Sequence, residues 1–262
     1  MENVLQHFRK EEQPFIEQVV HMMREVEDRY APKLTDFLDP RQQFIVDSIR
    51  RQYDGIESLS IGVLEDAERV RVLLYPSYYV PTNEDFAMKV VEVNYPKKFV
   101  TLRHKDVLGS MMSLGMDRSK FGDIRVEDGF IQFVVAVEVL DYVRANFTSI
   151  GKVKVQVEVV EEPLNYLKQH EEWLTESFTV SSLRLDTVIS AIFNISRQKS
   201  ASLIHGGKVK VNWSVKEQTS MELQDLDLIS IRGLGRVKLL MMEGRTKKDK
   251  IRLQIGRLEQ KS

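Results

Sequence analysis

Hydrophobic positions change their period several times along the chain. Phe15, Val19, Met22, Met23, Val26 and Tyr30 recur at helical spacing, and the segment stops before Pro32. Asp39 as a cap, Pro40 in the first turn and Phe44, Ile45 and Ile49 behind them predict a second helix that Gly55 closes. Residues 1–55 therefore read as a helical N-terminal region. From Ile56 the period moves towards two, with strands expected at 58–63, 69–75 and 86–95. A helix follows at 105–114, with Val107, Leu108, Met111 and Met112 inward. Strands at 121–126 and 130–135 flank Glu127-Asp128-Gly129, a tight-turn signal. Another helix is expected at 137–147 and an alternating strand at 152–160. This mixture predicts an α+β fold at 56–162, with helices on one face of a largely antiparallel sheet. Pro163 breaks the last strand, and 164–176 reads as an acidic connecting helix inside a linker at 163–180.

The C-terminal segment, 181–262, reads as two short helices leading into a hairpin. Leu185, Val188, Ile189, Ile192 and Phe193 make one apolar helix face. Asn194 suits a left-handed C-terminal conformation, and Ser196 then offers an oxygen to cap a second helix. Arg197 and Lys199 lie in that helix's first turn, against the positive end of its dipole, so they want an anionic partner elsewhere. Gly206-Gly207 stops the helix, and Lys208-Val209-Lys210-Val211-Asn212 alternates as a half-buried strand. Strands at 237–242 and 251–258 extend the unit.

Composition narrows the chemistry. The 262 residues are 42% hydrophobic and 29% charged, as expected of a soluble globular protein of two or three domains. No apolar run is long enough to span a membrane, and the N-terminus lacks a basic region followed by an apolar one. With no cysteine, disulfides, thiol catalysis and thiolate metal sites are excluded. His7, His21, His104, His170 and His205 have no metal-site spacing. The expectation is a cytoplasmic monomer without metal or cofactor. Net charge of −1 conceals an asymmetry: residues 180–262 hold 16 Lys and Arg against 8 Asp and Glu, leaving −9 for the rest. A basic tail on an acidic body points to nucleic acid.

Arg184-Leu185-Asp186, Ser196-Arg197, Gly207-Lys208-Val209-Lys210-Val211-Asn212 and Asp227-Leu228-Ile229, in that order, resemble the S4 domain, a small RNA-binding module. That resemblance implies an αL-shaped surface gripping structured RNA, with arginines at the positions of Arg184 and Arg197. Trp213 stands where the family has Gly, so a wider turn is expected, with Trp213 covering the core or stacking on a base. The layout of 56–162 resembles the RNA-recognition-motif fold, yet its RNP1 aromatic signature is absent. A protein-facing or spacer role is expected there. The whole chain, including the run from Lys105 to Gly115 and Asp117-Arg118-Ser119-Lys120-Phe121-Gly122-Asp123-Ile124, resembles the YlmH family. This implies a cytoplasmic, non-enzymatic protein that binds ribosomal RNA and tRNA on the large subunit. A part in rescuing stalled nascent chains, and a link to cell division, come with it.

Arg184 and Arg197 lead the candidate RNA contacts, because a planar guanidinium matches phosphate in a two-pronged contact. The alternative is a salt bridge to Asp186, whose carboxylate is expected to orient Arg184 or the helix start. Lys199, Lys208, Lys210, Arg232, Arg236 and Lys238 form a second tier. Among enzymes, Leu183 replaces the Gly of the pseudouridine-synthase Gly-Arg-Leu-Asp motif, and the tyrosyl-tRNA-synthetase signatures are absent. Gly233-Leu234-Gly235 lacks the third Gly of a dinucleotide fingerprint, so a hairpin turn is expected. Asp117 and Asp123 are a weak candidate acid–base or metal pair. An RNA-modifying enzyme working through 56–160 and a cell-division adaptor docking through the acidic half are the alternatives.

Overall fold

The computed structural model describes residues 8, 12–168, 173–246 and 248–258. The chain forms two compact units, residues 1–169 and 170–262. The first begins with α1 (Gln13–Arg29), β1 (Lys33–Leu38), α2 (Pro40–Arg50), β2 (Ile56–Ile61) and β3 (Val70–Pro76). Tyr30, with φ 51°, ends α1 ahead of Pro32. Asp39 caps α2 by accepting from the Gln42 amide at 2.9 Å, while the Gln42 side chain accepts from the Asp39 amide. Ile16, Val19, Met23 and Val26 of α1 pack with Ile45, Val46 and Ile49 of α2 against Val72 and Leu74. The strands pair antiparallel in the order β1-β3-β2. Reading 1–55 as wholly helical is thereby corrected. Between the stop at Pro32 and the cap at Asp39 lies a strand, registered Lys33 to Leu74 and Leu38 to Val70. It is too short for its period to show, and its place is set by the open edge of β3.

The same unit continues with β4 (Met88–Asn94), α3 (His104–Met112), β5 (Phe121–Glu127), β6 (Phe130–Ala136), α4 (Val137–Asn146), β7 (Ser149–Ile150), β8 (Val153–Lys154) and β9 (Gln156–Val159). The order β5-β6-β4-β9 with two crossover helices is the split β-α-β layout. Asp128 and Gly129, both at positive φ, close the β5–β6 hairpin between Glu127 and Phe130. The single strand expected at 152–160 is instead a β7–β8 hairpin followed by β9, broken where the Val155 amide donates to Thr148 O. α3 and α4 cover one sheet face, burying Val91, Val93, Phe121, Phe133 and Val135 with Val107, Met111 and Val143.

The other face is covered too. Val90, Val134 and Ala136 pack with Phe37 and Leu64 from the N-terminal layer. The approach is close enough that a Cβ on Gly122 would lie 2.8 Å from Val134 and 2.9 Å from Phe37. Polar groups lock the seam. Arg71, 4% exposed, donates to the carbonyls of Thr35, Phe86 and Ala87 and to both Glu138 oxygens. Asp123 accepts from the amides of Glu68 and Arg69 at 2.7 and 3.2 Å. Burial lifts its carboxyl above the ordinary range. Asp117 caps the turn Arg118–Lys120 through the Ser119 amide. Both carboxylates of the suggested pair are thus engaged in holding backbone.

The second unit runs β10 (Trp173–Val180), α5 (Leu185–Ile192), α6 (Arg197–His205), β11 (Val209–Val211), β12 (Ser214–Val215), β13 (Leu228–Ile231), β14 (Gly235–Arg245) and β15 (Ile251–Leu258). The sheet order is β10-β15-β14-β13-β11-β12, and α5 and α6 bury Leu185, Val188, Ile189, Ile192 and Ile204 on its apolar face. The linker helix expected across 163–180 is corrected. Its described parts are a short 3₁₀ turn at Pro163–Asn165 and β10, which pairs along its whole length with β15. Phe178 and Val180 reach the core at a period of two, and β15 supplies the hydrogen bonds a helix would have made internally. The turn at Trp213 is likewise tight, not wide. Asn212 and Trp213 both take positive φ, and Val211 pairs directly with Ser214. Trp213 is half-buried.

Candidate nucleic-acid interface

The start of α5 is fixed by backbone before any side chain acts. The amides of Leu185 and Asp186 donate to Met221 O and Thr219 O, Arg184 bridges to Glu222, and the Leu223 amide donates to Leu183 O. Arg184 therefore leaves a pinned backbone. On the other side, Asn194 turns the chain at φ 49° and Ser196 caps α6 by accepting from the Lys199 amide. Arg197 is the first residue of that helix.

Both arginines converge on Asp186. Arg184 grips it with Nε on Oδ1 and Nη2 on Oδ2, each at 3.1 Å, and Arg197 Nη2 donates to Oδ2 at 2.8 Å. Asp186 is only 6% exposed and sits in the first turn of α5, where the helix dipole favours an anion. Its burial works against the charge, but the two guanidinium groups outweigh it and hold the carboxyl down to about 2. The arginine side chains themselves stay 39% and 60% exposed. A guanidinium has five N–H donors, so each retains donors that point away from the carboxylate. The expected salt bridge is present, and it presents the arginines rather than hiding them.

The remaining candidates fall elsewhere. Lys199 is exposed on α6. Lys210, Ser230 and Arg236 lie in one row across β11, β13 and β14, and Lys238 is opposite Leu228 in the next. Their neighbours Val211, Ile229 and Val237 point into the core under the helices, so this row belongs to the opposite, solvent face. Lys208 and Arg232 meet at the end of that sheet, where the Arg232 amide donates to Lys208 O. The structure thus unites Arg184 and Arg197 and sets the sheet cations apart from them. The sequence reading missed the 219–222 segment, which acts through backbone carbonyl oxygens and so leaves no side-chain pattern to read.

The fold and site define a class: an α+β protein whose acidic first unit precedes a basic unit that displays two carboxylate-ordered arginines. Two family models match, described as "YlmH, N-terminal" over residues 11–79 and "Putative RNA-binding domain in YlmH" over residues 81–163. The chain is 42% identical over 258 residues to "Ribosome-associated protein quality control protein P2" of Bacillus subtilis (strain 168), covering 98% of this chain and 99% of the relative. It is 33% identical to the solved "Cell division protein ylmH from Streptococcus pneumoniae", with a TM-score of 0.54 over 62% of this chain and 98% of that one. The chain belongs to the YlmH family.

Proposed function

We propose that this protein is a non-enzymatic, cytoplasmic RNA-binding factor that associates with the ribosome. In this reading its C-terminal unit, an S4 domain, binds ribosomal RNA and tRNA on the large subunit while a stalled nascent chain is rescued. The observation that carries this reading is the Arg184–Asp186–Arg197 cluster. A buried carboxylate holds two half-exposed guanidinium groups side by side, the geometry that two-pronged phosphate contacts need. The name of the Bacillus relative and the description of the model at 81–163 support it. The basic balance of the C-terminal segment supports it as well.

Co-sedimentation of the full chain with purified large subunits tests the reading. Arg184→Ala and Arg197→Ala each weaken association, and the affinity of the parent falls with salt at a slope of about −0.7 to −0.9 per neutralised phosphate. Unchanged association of both variants removes the assignment. The streptococcal protein's name favours a second reading, a division adaptor. Capture of a division protein by the full chain after nuclease treatment, with ribosome binding absent, would select it.

A further inference from the structure

The sheet β5-β6-β4-β9 is covered over most of both faces. Its helix side is core, and its other side lies under Phe37 and Leu64. The segment after β9 covers a further part of that side, while Asn94, Phe130, Gln156 and Glu158 stay exposed at the loop end of β4. Gln132, 1% exposed, donates to Asn165 O and accepts from the Leu167 amide, and Arg125 donates to Leu167 O and Glu65 O. The room left for a nucleic acid on this domain is at that exposed end and in the loops beside it.

This end is equipped for one. The register brings together the loop after β4, the β5–β6 hairpin and the β7–β8 hairpin, because Glu92 pairs with Gln132 and Asn94 with Gln156. In the loop, Phe99 is 87% exposed, the most exposed aromatic ring among the described residues. It is held outward by a turn, with the Phe99 amide donating to Pro96 O at 3.0 Å and the Lys97 amide to Tyr95 O at 2.7 Å. Lys97 Nζ rests 3.1 Å from the centroid of Phe130, itself 41% exposed. Lys98, Lys152 and Lys154 are exposed at this same end. Among the described residues none of these four lysines has an ion-pair partner. A single exposed ring is ordinary. A ring fixed in solvent between unpaired lysines is a stacking platform flanked by phosphate contacts.

We propose that this loop end binds unpaired RNA, with a base stacked on Phe99 and the flanking phosphates met by Lys97, Lys98 and Lys154. This extends the proposed RNA-binding role to a second surface and rests on that role. The test is fluorescence anisotropy of the full chain with a short unstructured oligouridine at several salt concentrations. Phe99→Ala and Phe99→Leu each weaken binding about 5- to 150-fold, and Phe99→Tyr retains it. Lys97→Ala combined with Lys98→Ala flattens the salt slope by about 0.7 for each phosphate no longer neutralised. Phe99 is solvated, so its variants melt with the parent. Repeating Phe99→Ala on an Arg184→Ala, Arg197→Ala background separates the two sites, because the Phe99 effect persists there even if the arginines prove irrelevant. Oligouridine binding by Phe99→Ala and the lysine pair at the parent affinity and slope overturns the proposal and leaves the patch to a protein partner. Parent-like binding by Phe99→Leu overturns stacking.

Discussion

Replacing Asp186 with Asn sets two physical expectations against each other. The carboxyl is held at about 2 against an ordinary 3.8, a shift on the order of 2–3 kcal/mol. Arg184 and Arg197 are substantially exposed, so solvent screening reduces the stabilising share to roughly 1 kcal/mol. An amide at this position can accept from one guanidinium, but its own N–H groups face the other. One arginine is therefore displaced. If a simple field governed RNA binding, removing a negative charge about 5 Å from a phosphate would tighten it by about 1–3 kcal/mol. If the carboxylate acts by orienting the arginines, charge-assisted hydrogen bonds to phosphate worth about 1.5–3 kcal/mol apiece no longer form, and two of them outweigh the field. The expectation is affinity for large subunits about ten-fold lower, with the salt slope reduced by roughly 0.7–0.9 for each phosphate no longer neutralised. Tighter binding by Asp186→Asn refutes the orienting role.

The same variant has a stability signature that can be read selectively. The chain's only two tryptophans, Trp173 and Trp213, both lie in the second unit, so their fluorescence in urea reports that unit. Because the folded-state pKa of Asp186 is depressed, its contribution is fully present above the unfolded value near 3.8. It is lost as pH falls through about 2. The stability gap between parent and Asp186→Asn is therefore constant from neutrality down to about pH 4 and closes between there and pH 2. A gap that persists at pH 2 assigns the effect to packing instead.

Arg71→Ala removes a nearly buried guanidinium from three carbonyls and Glu138, and the first unit loses about 3–5 kcal/mol in a urea melt followed by far-ultraviolet dichroism. A loss under 1 kcal/mol shows that the seam does not depend on it. Gly122→Ala forces a methyl against Val134 and Phe37, and costs about 1–3 kcal/mol in the same assay. A neutral result shows that Phe37 can retreat from the sheet.

Long elements with a strong period were legible before the structure. α1, α2, α3, α4 and the α5–α6 pair carry their own apolar faces, and Asp39 and Ser196 cap α2 and α6 while Asn194 takes a positive φ, where their side chains predict. What failed was decided by partners distant in sequence. β1 exists because β3 offers an edge, and β10 because β15 does. An acidic stretch beside Pro163 imitates a linker helix when β15, more than seventy residues on, is out of view. Trp213 was misjudged for another reason. A bulky residue at positive φ is disfavoured locally, yet Asn212 and the pairing of Val211 with Ser214 impose a two-residue turn. The pairing of Arg184 with Asp186 was in reach, two residues apart. That Arg197 joins them depends on how α6 folds back along α5, and no local pattern encodes it.

Charge alone does not separate an arginine that builds the fold from one that meets a ligand; the fraction of its donors already satisfied does. Arg71 directs its donors into the seam, and its side chain is 5% exposed, so nothing is left to offer. Arg184 gives Asp186 two donors in a fork and is 39% exposed. Arg197 gives one and is 60% exposed. On this ordering the two candidate interface arginines divide their effects. Arg184→Ala removes more of the fork and lowers the stability of the second unit more. Arg197→Ala strips the larger free donor set and weakens binding to large subunits more. Tryptophan-detected urea melts and co-sedimentation on the same preparations measure both, and an inverted order in either assay breaks the link between unused donors and ligand contact.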